Sequence, residues 1–360
     1  MTSRRPLAQL TRALCGEAPA VMDWTAVLAL ANEHLLAPAL WSMLDATGHA
    51  AALPPDVRDY LRTVHLLNGE RNQVIRRQAI ELATALNGGG IVPVLLKGAS
   101  TLVDGPYAEP AARMMRDIDL LVPAASRSDA IATLERLGYR LARGYGDTHH
   151  AFGDFARDGD PAAVDLHTEL VDSHYLLPAA EVRRRGTLRS VDGSSLIIPS
   201  ATDRVLHNFL HAEIHHLGHY YRGERQIAQL YELTMLGRCF KTAIDWRFVE
   251  RRLEAHRLAP ALHAYLLAAR RLFGLDWPLS TPPDARSRLH YLRCTLQAHV
   301  PPLHWLGVTW GNLRGPLAWH RMQALYGSDG NALAWRCRHV AQFLRKKGAR
   351  ASVARLRRLQ

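Results

Sequence analysis

The sequence lacks a long apolar run. None of its apolar stretches approaches the roughly 18 residues that a membrane-spanning helix needs. Arg12, Glu17 and Pro19 interrupt the first of these stretches. Because a secretory signal peptide has an unbroken apolar centre, the sequence predicts neither such a leader nor a transmembrane segment.

Cysteine is also scarce, with four in 360 residues. The four positions are far apart and none forms a Cys-x-x-Cys pair: Cys15, Cys239, Cys294 and Cys337. This spacing argues against a cysteine zinc site and a disulfide framework, and it favours a reducing, cytoplasmic compartment. The sequence also lacks a Walker A motif and a Gly-x-Gly-x-x-Gly fingerprint, which excludes two common nucleotide-binding loops.

Acidic residues are missing from the last part of the chain. From Arg336 to Gln360 there are nine Arg or Lys and no Asp or Glu. Since the formal net charge of the whole chain is +12, residues 1–335 carry only +3. We therefore predict a basic tail at 336–360 that contacts nucleic acid, an acidic partner or an anionic membrane surface, or that is only a solvated terminal segment.

The rest of the composition is that of a globular protein, and its patterns divide it into three regions. Residues 1–88 have helical apolar spacing, with Asp23 as a capping residue and three glycines that end a long helix. Residues 89–200 contain short strand-like runs around one amphipathic helix, and residues 201–335 are again helical. We therefore predict an α+β fold, with a small mixed sheet and helices flanked by N-terminal and C-terminal helical regions.

Two aspartates lie inside the strand-like run "DIDLLV". Alternate residues of a strand share a face, so Asp117 and Asp119 project together while Ile118 projects to the other side. Buried carboxylates are costly unless they are paired or bind a metal, and paired aspartates suit Mg²⁺. Asp165, inside "AAVDLHTEL", is the best candidate for a third ligand of a two-metal site. The alternative is that both aspartates are exposed acids at a strand end.

The same segment resembles the nucleotidyltransferase superfamily that includes DNA polymerase β, and within it an uncharacterised bacterial family. The resemblance lies in "VLLKGAS", "YAEPAARMMRDIDLLV", "LERLGY", "AAVDLHTEL", "TDRVLHNFLHAE" and "IDW". It extends over roughly residues 20–275 and is strongest at 90–170. The Gly-Ser signature of the superfamily is here Gly98-Ala99-Ser100, and "ERQIAQLYEL" replaces a segment that is often polar or Asp-rich in the family.

The resemblance implies a polymerase β-like core that moves NMP from an NTP, with ATP expected as the NTP and Mg²⁺ or Mn²⁺ as the cofactor. It implies that Asp117 and Asp119 bind the metal that carries the NTP phosphates. Asp165 would complete the second metal position and help to activate the acceptor.

Five further residues are candidates to contact the NTP. Gly98 would let the backbone approach the triphosphate, and Ser100, expected at the start of a short helix, would donate to a phosphate. Lys97, Arg113 and Arg116 are candidate phosphate cations. Alternatively, Lys97 only pairs with an aspartate, and the two arginines are surface residues of a loop.

Histidines recur every four residues at His207, His211, His215 and His219, and on a helix all four would share one broad face. Histidines at this spacing can bind zinc, but no His-Glu-x-x-His motif or cysteine pattern completes a known zinc site. We therefore interpret them as a polar helix face toward the substrate cleft.

Three more histidines flank the proposed metal site: His149, His150 and His167. Imidazole titrates near neutral pH, so each is a candidate to handle the proton of the acceptor. His167 shares a strand face with Asp165 and is the best of the three.

Three functions follow from these observations. The first is nucleotidyl transfer with release of pyrophosphate. The acceptor is expected to be a peptide or small molecule in preference to RNA, because residues 1–335 offer no basic stripe or aromatic stacking run. Related proteins are often encoded beside peptide natural-product genes. The second is kinase-like phosphoryl transfer, and the third is nucleotide or partner binding without chemistry.

Overall fold

The computed structural model describes residues 4–17, 22–145, 150–215, 218–327 and 333–341. Within these ranges, four α-helices precede the first strand: α1 (Arg4–Leu14), α2 (Trp24–Glu33), α3 (Ala37–Ala46) and α4 (Pro55–Gly88). Asp23 caps α2 as predicted, since its carboxylate accepts from the Ala26 N–H at 3.2 Å. The helical pattern after Asp23 is divided between α2 and α3, because Leu35 has a φ of 58° and Pro38 lies in the first turn of a new helix.

The central part of the chain forms a mixed seven-stranded sheet with three helices. The strands are β1 (Val94–Leu95), β2 (Asp117–Leu121), β3 (Arg140–Gly144), β4 (Ala151–Ala156), β5 (Ala163–His167), β6 (Thr187–Val191) and β7 (Ser194–Ile198). The helices are α5 (Lys97–Thr101), α6 (Arg127–Arg136) and α7 (Ala179–Arg185). The strand order is β3-β4-β5-β2-β1-β7-β6, in which β2 and β5 are parallel, β1 and β7 are parallel, and the other pairs are antiparallel. The predicted α+β class is confirmed.

Two hydrophobic cores lie on the two faces of the sheet. On one face, Ile118 and Leu120 of β2 pack with Leu82 of α4 and Leu134 of α6. On the other face, Leu121 belongs to the core formed with the N-terminal and C-terminal helices. Since alternate residues share a face, Asp117 and Asp119 project toward that second, helical side.

The rest of the described chain is helical. Its helices are α8 (Ala201–Phe209), α9 (His219–Arg222), α10 (Ile227–Cys239), α11 (Trp246–Glu254), α12 (Ala259–Phe273), α13 (Ala285–Gln297), α14 (Pro301–Arg314) and α15 (Trp319–Tyr326). A π-helix at Leu210–Ile214 continues α8. The segment "GNLRG" lies mostly inside α14, and a 3₁₀ turn begins at Gly315.

No helix of the described ranges combines the length and the apolarity needed to cross a membrane. The boundaries predicted at residues 88, 200 and 335 stay a prediction. Of the basic tail at 336–360, only residues 336–341 are described, so its partner also stays a prediction.

Candidate active site

The three predicted aspartates lie on two neighbouring parallel strands. Asp119 of β2 is directly in register with Asp165 of β5, and Asp117 precedes Asp119 by two residues on the same face. The Asp119 side chain is 1% exposed and that of Asp165 is 14% exposed, whereas Asp117 lies at the exposed end of β2. The strand register, and not a loop, therefore brings the carboxylates together.

Two basic side chains hold the buried carboxylates. The Lys97 Nζ lies 2.7 Å from Oδ1 of Asp119. The Nε2 of His167 lies 3.0 Å from Oδ1 of Asp119 and 3.0 Å from Oδ2 of Asp165. The alternative contact of Lys97, with an aspartate, is thus present, and His167 bridges two of the three acids.

This arrangement sets the protonation of the site. Burial alone would raise the pKa of Asp119, but Lys97 and His167 outweigh it and hold that pKa well below its usual range. Burial would lower the pKa of His167, but its two carboxylate partners raise it to about 9. Partial burial and the charge of Asp119 raise the pKa of Asp117 to about 6. Near neutral pH Asp119 is therefore ionised, while His167 and Lys97 are protonated.

The donor set fits a divalent cation. The Oδ1 of Asp165 is buried and has no hydrogen-bond partner among the described residues. An unpaired carboxylate oxygen is costly to bury, and a hard cation that takes oxygen ligands would satisfy it. Asp119 and Asp165 each offer a carboxylate oxygen to such an ion, and these two oxygens lie within 4.8 Å of each other.

A cavity of about 210 Å³ opens beside the aspartates. Asp117 and Asp119 line it, and so do four of the residues predicted to contact a nucleotide: Lys97, Gly98, Arg113 and Arg116. Helix α10 contributes Gln229 and Glu232 to the lining of the same cavity. The structure therefore places the aspartates and the basic side chains around one cavity.

A family model described as "uncharacterised nucleotidyltransferase" matches residues 20–274, which include all three aspartates and Lys97. The chain belongs to this family. It is therefore a transferase of the nucleotidyltransferase class, as the sequence predicted. A comparison with the curated proteins gave no match.

Two solved structures are similar to this nucleotidyltransferase. The solution structure of the antibiotic-resistance factor ANT(2'')-Ia matches 55% of this chain and 97% of its own, with 18% identity and a TM-score of 0.34. The crystal structure of an antigenic nucleotidyltransferase-like protein from Paracoccidioides brasiliensis matches 56% of this chain and 97% of its own, with 17% identity and a TM-score of 0.34.

Arg113 of the nucleotidyltransferase is not a surface residue of a loop. Its guanidinium forms a 2.8 Å ion pair with Glu232, and both side chains are largely buried. A Cβ atom at Gly98 would overlap the Nη1 of Arg113, so the absence of a side chain at Gly98 leaves room for this guanidinium. Arg116, by contrast, is exposed at the cavity rim.

The predicted position of Ser100 is wrong. Ser100 is the fourth of the five residues of α5, not its first, and it is 1% exposed. Its hydroxyl donates to the Lys97 carbonyl at 2.8 Å. The start of α5 is Lys97 itself, which has a φ of 43°.

The four spaced histidines do not share one helix face. His207 and His211 line the space next to Lys97, which agrees with a polar face toward the cleft. The helix ends at His215, and His219 begins α9 after Gly218, which has a left-handed conformation. His219 instead pairs with Glu224 at 2.9 Å. His149 lies outside the described residues.

The sequence did not predict the polar side chains of α4 that hydrogen-bond to the backbone next to the site. Arg71 of α4 donates to the carbonyls of Met115 and, at 2.8 Å, Pro161, which lie two residues before β2 and β5. Asn72 donates to the Arg113 carbonyl at 2.8 Å. The signal that was available is a polar stripe on the buried side of α4, where apolar residues are expected.

Proposed function

We propose that the protein transfers NMP from an NTP to an acceptor nucleophile and releases pyrophosphate. The observation that carries this proposal is the register of Asp119 with Asp165, with Asp117 on the same face beside the cavity. Carboxylates in this arrangement suit two divalent ions, either Mg²⁺ or Mn²⁺. When bound, such ions neutralise phosphate charge and favour deprotonation of an attacking hydroxyl.

The side chains around the acids divide into binding and positioning groups. Lys97 and Arg116 reach the cavity and are assigned to the phosphates of the NTP. Arg113 is held by Glu232, so we assign it a fixed orientation toward the same phosphates. His167 is fully buried. Its contacts with Asp119 and Asp165 support a role in positioning them, in place of the predicted contact with the acceptor's proton.

The acceptor is proposed to be a peptide or a small molecule. Nine of the twelve net positive charges lie at 336–360, so the part of the chain that contains the cavity has little charge to guide RNA. ATP as the donor rests on the family resemblance. We also propose a cytoplasmic location, since all four cysteines are free thiols.

Release of pyrophosphate from each NTP tests the proposal. The wild-type enzyme should release pyrophosphate only with Mg²⁺ or Mn²⁺, and Asp165→Asn should reduce the rate by at least about a hundredfold. Asp154→Asn is a matched control, because Asp154 is in register with Asp165 on β4 but bonds Tyr145 at 2.8 Å. Release of NDP instead would indicate the kinase-like alternative.

A further inference from the structure

A second group of metal-ligand side chains lies outside the aspartate site. His150 directly precedes β4, Asp172 lies between β5 and α7, and His215 directly follows the π-helix. The Nδ1 of His150 is 2.9 Å from Oδ1 of Asp172, and the Nδ1 of His215 is 3.6 Å from Oδ2. One ligand atom from each residue lies within 4.8 Å of the other two.

The distances between these ligand atoms are close to those in a metal site. In a tetrahedral site with bonds of about 2.0–2.1 Å, neighbouring donor atoms lie roughly 3.3 Å apart. The two distances to Asp172 lie on either side of that value, so small side-chain movements would bring the donors around one ion. The two imidazole rings lie edge to face with centroids 4.4 Å apart. Two imidazoles and a carboxylate form a common ligand set for metals that bind imidazole.

The backbone holds the ligands in place. The His150 N–H also donates to Oδ1 of Asp172 at 3.1 Å. The N–H groups of Thr168 and Glu169 donate to the His150 carbonyl at 3.1 and 3.0 Å, which ties His150 to the segment after β5. Such support is typical of sites whose ligands are oriented before the ion binds.

An ion held by these three residues would also have room for a fourth ligand. Asp172 and His215 line a cavity of about 550 Å³, together with His174, Tyr175 and Arg321. The Asp172 side chain is 49% exposed, while His150 and His215 are buried. Three protein ligands and an accessible fourth position are characteristic of sites that bind a water or another small ligand at the ion.

We propose that His150, Asp172 and His215 bind one divalent transition-metal ion of the class that imidazole prefers, such as Zn²⁺. Imidazole ligands disfavour Mg²⁺, so this site and the aspartate site select different ions. The two sites are neighbours, since the rings of His150 and His167 have centroids 5.0 Å apart. A bound ion would tie the segment after β5, and hence the strand that carries Asp165, to the end of the π-helix.

Zinc titration of the full chain tests the proposal. The protein is stripped with a chelator, dialysed, and titrated with Zn²⁺ in excess Mg²⁺, with calorimetry and elemental analysis as the readouts. The wild type should bind one Zn²⁺ per chain. Asp172→Ala and His215→Ala should each lower the affinity at least about tenfold, because even the supporting partners of ligands contribute 10–100-fold. His174→Ala, on the same cavity, and Asp165→Asn should bind as the wild type does.

A spectrum of the wild type provides a second readout that does not depend on a variant folding. Substitution with Co²⁺ should give the visible absorption of a four- or five-coordinate ion with nitrogen ligands, and added Zn²⁺ should abolish it. The proposal is overturned if the wild type binds no Zn²⁺ or Co²⁺ in excess Mg²⁺. It is also overturned if Asp172→Ala and His215→Ala bind normally, or if Asp165→Asn alone abolishes binding.

Discussion

Substitution of Asp117 and of Asp119 by Asn should have the same effect on activity and opposite effects on stability. Both carboxylates are assigned to the same metal site, so we expect either change to abolish turnover. Their surroundings in the metal-free protein differ, however. Asp119 is buried between Lys97 and His167, whereas Asp117 lies at the exposed end of β2.

The expected magnitudes follow from these contacts. Asp119→Asn leaves the Lys97 ammonium and the His167 imidazolium without their shared anion, and removing one partner of a buried ion pair costs about 3–5 kcal/mol. Asp117→Asn removes a carboxylate whose pKa is raised to about 6 by partial burial and by Asp119. Water screens that exposed group, so the gain in the free energy of unfolding should be below about 1 kcal/mol.

Urea unfolding, followed by circular dichroism in the presence of a chelator near neutral pH, measures both effects. The double variant Lys97→Met/Asp119→Asn is the matched control, since it also removes one of the two cations that Asp119→Asn leaves without their shared anion. It should be more stable than Asp119→Asn alone. Our account of the site is refuted if Asp119→Asn unfolds at the same urea concentration as the wild type, or if Asp117→Asn loses as much stability as Asp119→Asn.

Three other predictions do not depend on the Asp117 and Asp119 variants. Gly98→Ala should displace the Arg113 guanidinium and raise the KM for the NTP several-fold. If Gly98→Ala also changes the free energy of unfolding by more than about 3 kcal/mol, its effect is not confined to the Arg113 side chain. Burial raises the pKa of Glu213 from 4.5 to about 8, so its ionised form destabilises the fold and wild-type stability should fall as the pH rises through this range. Glu213→Gln should remove that fall, worth on the order of 2–4 kcal/mol, in denaturation measured across the range. Truncation after Gln342 should leave the kinetics with a peptide or small-molecule acceptor unchanged, whereas a higher KM and a weaker salt dependence would indicate RNA.

The central strands of the sheet could be predicted from the sequence because they carry a strong pattern. β2 alternates acids with buried apolar residues, and this alternation gave the correct face for Asp117 and Asp119. β3 and β6 were missed because they are edge strands, and nearly all of their residues are exposed. An exposed edge strand has no buried face, so its sequence carries no alternation.

The rest of the site depends on contacts between distant parts of the chain. Arg113 and Glu232 are separated by 119 residues, and Arg71 and Pro161 by 90. Local periodicity cannot predict such pairs. The prediction that His207, His211, His215 and His219 share one helix face was wrong for a related reason. Regular spacing does not reveal that the helix ends before His215.

The mass of the reaction product tests the central claim most directly. The protein is incubated with each NTP, Mg²⁺ and candidate peptide or small-molecule acceptors, and the acceptor is then analysed by mass spectrometry beside the Asp117→Asn and Asp165→Asn variants. We expect the acceptor to gain the mass of one NMP with the wild type only, with release of one pyrophosphate. A gain of a single phosphoryl group with release of NDP, or an NMP adduct formed equally by the aspartate variants, would contradict nucleotidyl transfer at this site.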